Sequence, residues 1–132
     1  MPACAEQLDL KADPGELATA RRLADAAAAR FGFEERERWE FTFAVNEAVS
    51  NAIEHGRPSP DGTIRIGLAA EDGTLVFEVE DHGTFAPCPL EVDRLPERGR
   101  GLAFMAATVD EVDVRRGPGG TVVRLCKRRA AA

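Results

Sequence analysis

Apolar residues recur with a helical period in two stretches of the first half of the chain. Residues 13–30 and 34–55 place apolar side chains three and four positions apart, which predicts two amphipathic helices. Asp13 followed by Pro14 is typical of a helix start, and Gly32 is typical of a helix end. The longer, second helix has an apolar stripe made of Phe41, Ala44, Val45, Ala48, Val49, Ala52 and Ile53.

Other stretches alternate between apolar and polar residues, which predicts β-strands. Asp72 and Gly73 separate two of them and predict a tight hairpin. A short helix is predicted over 101–108. Because helices precede antiparallel strands, we expect an α+β fold, a two-layer α/β sandwich with helices on one face of a mostly antiparallel mixed sheet. The strands are predicted over 5–12, 63–69, 74–80, 109–115 and 121–127.

Length and composition predict one globular domain. The 132 residues, 44% of them apolar, are enough to bury a core without disulfides. A net charge of −6 argues against direct electrostatic binding of nucleic acid. No signal segment or membrane-spanning apolar run is present, so we expect a cytoplasmic protein that is not membrane-anchored. Reduced thiols rather than a disulfide framework are expected for the three cysteines, Cys4, Cys88 and Cys126.

A polar stripe lies beside the apolar stripe of the second helix. Glu47, Asn51 and His55 follow one another at four-residue intervals. One interpretation is a solvated helix face, and the pattern of this helix alone favours it. The other is a pocket, in which an amide oxygen suits Mg²⁺ and a carboxylate one turn away orients or deprotonates a hydroxyl.

Three later motifs also have an ordinary and a functional interpretation. Asp81 and Gly83 follow a strand, either as a simple turn or as an acceptor for a ligand amino group beside an open backbone. Residues 98–102, Arg-Gly-Arg-Gly-Leu, form either an ordinary loop or a phosphate-binding helix start. Thr121, after two glycines, is either a strand residue or a hydroxyl beside a ligand.

In this order along the chain, the motifs closely resemble the GHKL, or Bergerat, ATP-binding fold. The run Phe-Ala-Val-Asn-Glu-Ala-x-x-Asn-Ala-x-x-His-Gly over 43–56 is similar to that of bacterial anti-sigma-factor serine/threonine kinases. The resemblance covers residues 8–127, so the chain, 1–132, is expected to be a single domain of this kind. One departure is Thr84-Phe85, where many superfamily members have a further glycine.

The resemblance implies a site for ATP and Mg²⁺. Asn51 would coordinate the metal, and Glu47 would act as general base toward a serine or threonine hydroxyl of a partner protein. Asp81 would accept a hydrogen bond from the adenine amino group, and Thr121 would support that contact. The other residues implied to bind the nucleotide are His55, Gly83, Gly99, Arg100, Gly101 and Leu102.

The resemblance also implies a biological role. It is that of an ATP-dependent protein serine/threonine kinase and anti-sigma factor, which regulates transcription by partner switching. The expected partners are a sigma factor and an anti-sigma-factor antagonist, the phosphorylation substrate. A homodimer that forms through the first strand or the first helix is compatible with this role. The alternative is a non-catalytic nucleotide-binding module that sequesters a sigma factor or other partner. Glu47 favours the kinase, because binding alone requires no base.

Overall fold

The computed structural model describes residues 6–55, 62–81, 105–117 and 120–129. In these ranges, two helices cover one face of a five-stranded sheet. The helices are α1, Leu17–Phe31, and α2, Glu35–His55. The strands are β1, Glu6–Lys11; β2, Thr63–Glu71; β3, Thr74–Asp81; β4, Glu111–Gly117; and β5, Gly120–Arg128.

The strands are ordered β1-β2-β3-β5-β4, and all four described pairings are antiparallel. The last strand is therefore inserted between β3 and β4. This arrangement confirms the predicted two-layer α+β sandwich. The strand predicted over 5–12 is observed as the edge strand β1.

The predicted start at Asp13 and end at Gly32 are both observed, but the first turn is a 3₁₀ helix and α1 itself begins only at Leu17. The Asp13 carboxylate accepts a hydrogen bond from the Gly15 amide at 2.9 Å and caps a 3₁₀ turn, Pro14–Glu16, that leads into α1. At the other end Gly32 is left-handed, with φ of 96°, and its amide donates to two carbonyls of the last turn. The buried side of α1 is formed by small residues, namely Ala20, Ala24, Ala27 and Ala28.

The second helix buries the predicted stripe against the sheet. It begins with a capping contact, because the Glu34 amide donates to Oε1 of Glu37 at 2.8 Å. Ile53 is half-buried and packs against the core. None of the helices in the described ranges is long and apolar enough to span a membrane. The fully or nearly fully buried members of the stripe are Phe41, Ala44, Val45, Ala48, Val49 and Ala52.

The β2–β3 hairpin has the predicted turn. Asp72 and Gly73 both have positive φ, 50° and 76°, as a type I′ turn requires. The fourth strand begins two residues later than predicted, because the Val109 amide donates to the Met105 carbonyl at 3.1 Å and ends a helical turn. Residues 105–108 of the predicted short helix are helical, and its first four residues lie outside the described ranges.

Candidate functional site

The polar stripe of α2 lies at the border between the core and the solvent. Glu47 and Asn51 are both half-buried, next to the buried Ala48. Their four-residue spacing corresponds to a rise of about 6 Å along the helix axis. A carboxylate and an amide oxygen therefore lie on one side of α2, one turn apart. We call these two residues the helix half of the candidate site.

The second part of the site is at the end of β3. Asp81 is its last residue and is only 6% exposed. It lies opposite Thr121 of β5 in the sheet register. Because side chains on a strand alternate, Asp81 shares the face of Phe77 and Val79, which belong to the core beneath the helices. We call Asp81 and Thr121 the sheet half of the candidate site.

The two halves have the chemistry that a nucleotide and Mg²⁺ require. Asn51 offers a neutral oxygen, a ligand type that suits Mg²⁺, which is usually held by few protein ligands together with phosphates and water. The buried Asp81 carboxylate is an acceptor for an amino group, and the half-buried Thr121 hydroxyl beside it both donates and accepts. The residues present therefore fit Mg·ATP.

Other predicted site residues fall outside what the structure describes. His55 is the last residue of α2, and its side chain is not described. The remaining nucleotide-binding predictions also lie outside the described ranges, so their roles stay predictions. They are Gly83, Gly99, Arg100, Gly101 and Leu102.

Polar contacts hold α2 against α1 near the helix half. Nη1 of Arg21 donates to the side-chain oxygen of Asn46 at 3.0 Å, one residue before Glu47. Near the start of α2, Arg38 donates to both carboxylate oxygens of Asp25, at 3.2 and 2.8 Å. The hydrogen bond that Arg38 donates to Asp25 raises the pKa of Arg38. These contacts fix the pairing of the two helices.

Lys127 is a residue that the motif analysis missed. It lies on β5, is 8% exposed, and donates from Nζ to Oε1 of Glu40 at 3.0 Å and to the Thr108 carbonyl at 2.7 Å. The hydrogen bond from Lys127 lowers the pKa of Glu40, so this carboxylate is charged near neutral pH. Alternation along β5 contains the signal, because a lysine two residues after the buried Leu125 must face the core.

Comparison with known proteins identifies the family. The profile of the histidine kinase-like ATPase domain matches residues 10–127, which include both halves of the candidate site. The chain belongs to this family. The resemblance to GHKL ATP-binding domains deduced from the motifs is thereby confirmed, and nearly the whole chain is covered.

Proteins similar to this chain include a serine-protein kinase and an anti-sigma factor. The serine-protein kinase RsbW of Bacillus pumilus is 29% identical over 132 aligned residues, which cover 88% of this chain and 81% of that protein. The anti-sigma F factor of Thermoanaerobacter sp. is 38% identical over 93 residues, covering 64% of this chain and 65% of that protein. The resemblance to anti-sigma-factor serine kinases is therefore also confirmed.

A solved structure has the same fold. It contains the RsbU and RsbW domains of Rv1364c from Mycobacterium tuberculosis, with a TM-score of 0.73 and 26% sequence identity. The match covers 99% of this chain and 35% of that longer chain. The similarity therefore extends over the whole of the present chain, which corresponds to about a third of the longer protein.

Proposed function

We propose that this protein is a Mg·ATP-dependent serine/threonine kinase that acts on a partner protein and also serves as an anti-sigma factor. The observation that carries the proposal is the helix half, in which Glu47 lies one turn before Asn51 at the border of the core. A nucleotide-binding module needs the amide ligand but has no use for a base beside it. Similarity to a serine-protein kinase supports the same conclusion.

The sheet half binds the adenine. The Asp81 carboxylate accepts a hydrogen bond from the exocyclic amino group, and burial of this carboxylate strengthens the contact. Thr121, directly opposite, supports it through its hydroxyl, directly or through a water molecule. An amino group is what distinguishes adenine from guanine at this position, so the sheet half selects ATP over GTP.

The helix half carries out the transfer. Asn51 would hold Mg²⁺, which would supply positive charge to neutralise the phosphates. Glu47 orients the serine or threonine hydroxyl of the partner and accepts its proton, while the hydroxyl oxygen bonds to the γ-phosphorus and the bond to ADP breaks. Such a reaction depends mostly on positioning and charge, and the rigid α2 provides the positioning.

The partners follow from the relatives. A sigma factor and an anti-sigma-factor antagonist are the proposed partners, in agreement with the name of the anti-sigma F factor relative. Partner switching between the two in the cytoplasm would regulate transcription, and a homodimer is part of the proposal. The second candidate is a module that binds nucleotide and sequesters a sigma factor without transferring phosphate, which the same relative's name also favours.

Two variants of α2 test the proposal. Glu47→Gln should retain Mg·ATP binding but lower phosphorylation of a candidate antagonist by about 100-fold or more, because it removes the base and preserves the shape. Asn51→Ala should weaken Mg·ATP binding itself. Titration calorimetry measures binding, and phosphoserine or phosphothreonine on the antagonist reports transfer. Binding without any transfer by the wild type would support the sequestration module instead. No binding would refute both candidates.

A further inference from the structure

A buried lysine connects the two halves of the proposed site. Lys127 lies on β5 six residues after Thr121, so the two side chains share one face of the strand. Its Nζ is 3.0 Å from Oε1 of Glu40 on α2. Glu40 precedes Glu47 by seven residues, or about two helical turns. The strand of the sheet half and the helix of the helix half are therefore joined by an ion pair.

Among the described residues, Lys127 and Glu40 form a directional, hydrogen-bonded contact between the sheet and α2. The buried side of α2 combines the small Ala44, Ala48 and Ala52 with the larger side chains of Phe41, Val45 and Val49. The hydrophobic effect itself is non-directional, so a polar contact adds an orientational restraint to this packing. A buried ion pair, in contrast, requires one geometry, and fixing a register is the best-attested use of such pairs.

The lysine is itself held in place. In addition to Glu40, its Nζ donates to the Thr108 carbonyl at 2.7 Å, at the end of the helical residues 105–108. The next turn is bound to the same strand, because the Asp110 amide donates to the Cys126 carbonyl at 2.9 Å. With two acceptors on two different elements, the ammonium group has a fixed position from which it holds Glu40.

We infer that Lys127 is a positioning residue for phosphoryl transfer. It fixes α2 along its axis against β5 and thereby sets the separation between the helix half and the sheet half. The inference rests on the proposed function, since it concerns the same site. A ligand that spans both halves, such as Mg·ATP, depends on this separation. A ligand that occupies only the sheet half, such as adenosine, does not.

The test compares these two ligands on the full chain carrying Lys127→Met. Adenosine affinity, measured by ligand-observed NMR, should stay within about twofold of the wild type, whereas Mg·ATP binding should weaken and antagonist phosphorylation should slow by about tenfold or more. Arg128→Met is the matched control, because Arg128 is the next residue of β5 and is exposed. It should match the wild type in all three measurements.

A second variant separates positioning from stability. Lys127→Met alone leaves the largely buried Glu40 without this cation and lowers the free energy of unfolding. The double variant Glu40→Leu with Lys127→Met removes both charges and should recover stability, yet still bind Mg·ATP weakly and adenosine normally.

Three outcomes would overturn the inference. Normal Mg·ATP binding and transfer in both variants would show that the ion pair does not set the separation. Equal losses for adenosine and Mg·ATP in a folded variant would show a general effect on the fold. In either case the proposed function would stand. A wild-type protein that binds no Mg·ATP would overturn the inference and the proposed function together.

Discussion

Asp81, the last residue of β3, lies directly opposite Thr121, the second residue of β5. The carboxylate belongs to the buried side of the sheet, where a charged residue is rare unless it has a partner. The pairing of the two inner strands places the Thr121 hydroxyl next to this carboxylate. In the proposed function, this acceptor and this hydroxyl would together recognise the adenine amino group.

Replacing this carboxylate by an amide tests base recognition. Asp81→Asn exchanges one acceptor oxygen for a donor, so ATP affinity should fall about tenfold or more, as expected for loss of a hydrogen bond to a charged group. The preference for ATP over GTP should narrow, because guanine presents a carbonyl acceptor where adenine has its amino group. Calorimetric titration with both nucleotides measures the change. Glu80→Gln, on the opposite face of β3, is the control, and an equal effect in both variants would contradict the assignment.

The Glu40–Lys127 pair makes stability depend on pH. The hydrogen bond from Lys127 lowers the pKa of Glu40 below its ordinary value of 4.5. As the pH falls, Glu40 is therefore protonated in the unfolded state before it is protonated in the folded state. The ion pair stabilises the fold fully above pH 4.5, and this stabilisation is lost as the pH falls through the lowered pKa. The free energy of unfolding, measured by urea unfolding from about pH 7 to about pH 3, should fall less steeply at acidic pH in Glu40→Gln than in the wild type. An unchanged slope would show that Glu40 has its ordinary pKa in the folded protein.

The end of α1 should be sensitive to a single methyl group. Gly32 has φ of 96°, and a Cβ there would lie 3.2 Å from Nη1 of Arg129, which donates to the Phe31 carbonyl at 2.6 Å. Gly32→Ala should therefore lower the free energy of unfolding by about 1–2 kcal/mol, because it combines a left-handed backbone with a close contact. Urea unfolding gives the value.

Gly67 provides the comparison for this substitution. It has an ordinary strand conformation, and an added Cβ would meet the nearest atom, the Glu6 carbonyl oxygen, at 3.6 Å. Gly67→Ala should change stability much less than Gly32→Ala. If both substitutions lowered the free energy of unfolding equally, the left-handed conformation of Gly32 would not be the reason for its sensitivity.

Local features were predictable from the sequence because their causes are local. The period of α2, the cap at Asp13 and the turn at Asp72 each depend on a few neighbouring residues. The strand order was not predictable, since it depends on which strand pairs with β3 after the whole sheet has formed. The candidate site is likewise predictable only in its local part. Its helix half was predictable, because the four-residue spacing of Glu47 and Asn51 is visible in the sequence.

The sheet half and the ion pair arise from contacts between distant parts of the chain. Asp81 faces Thr121 across forty residues of sequence, and Glu40 contacts Lys127 across eighty-seven. No periodicity links such positions. Alternation along β5 was the available signal for Lys127, and only the fold shows which carboxylate accepts a hydrogen bond from it.

The insertion of β5 between β3 and β4 has a consequence for how the protein is made. A ribosome adds residues in order, so the strand that carries Thr121 and Lys127 emerges after all the others. Until then β3 has an open edge, and α2 lacks the lysine that anchors it. Long-range pairing of this kind slows folding and leaves apolar strand edges exposed to other chains. The nascent domain should therefore be most dependent on chaperones just before β5 is released.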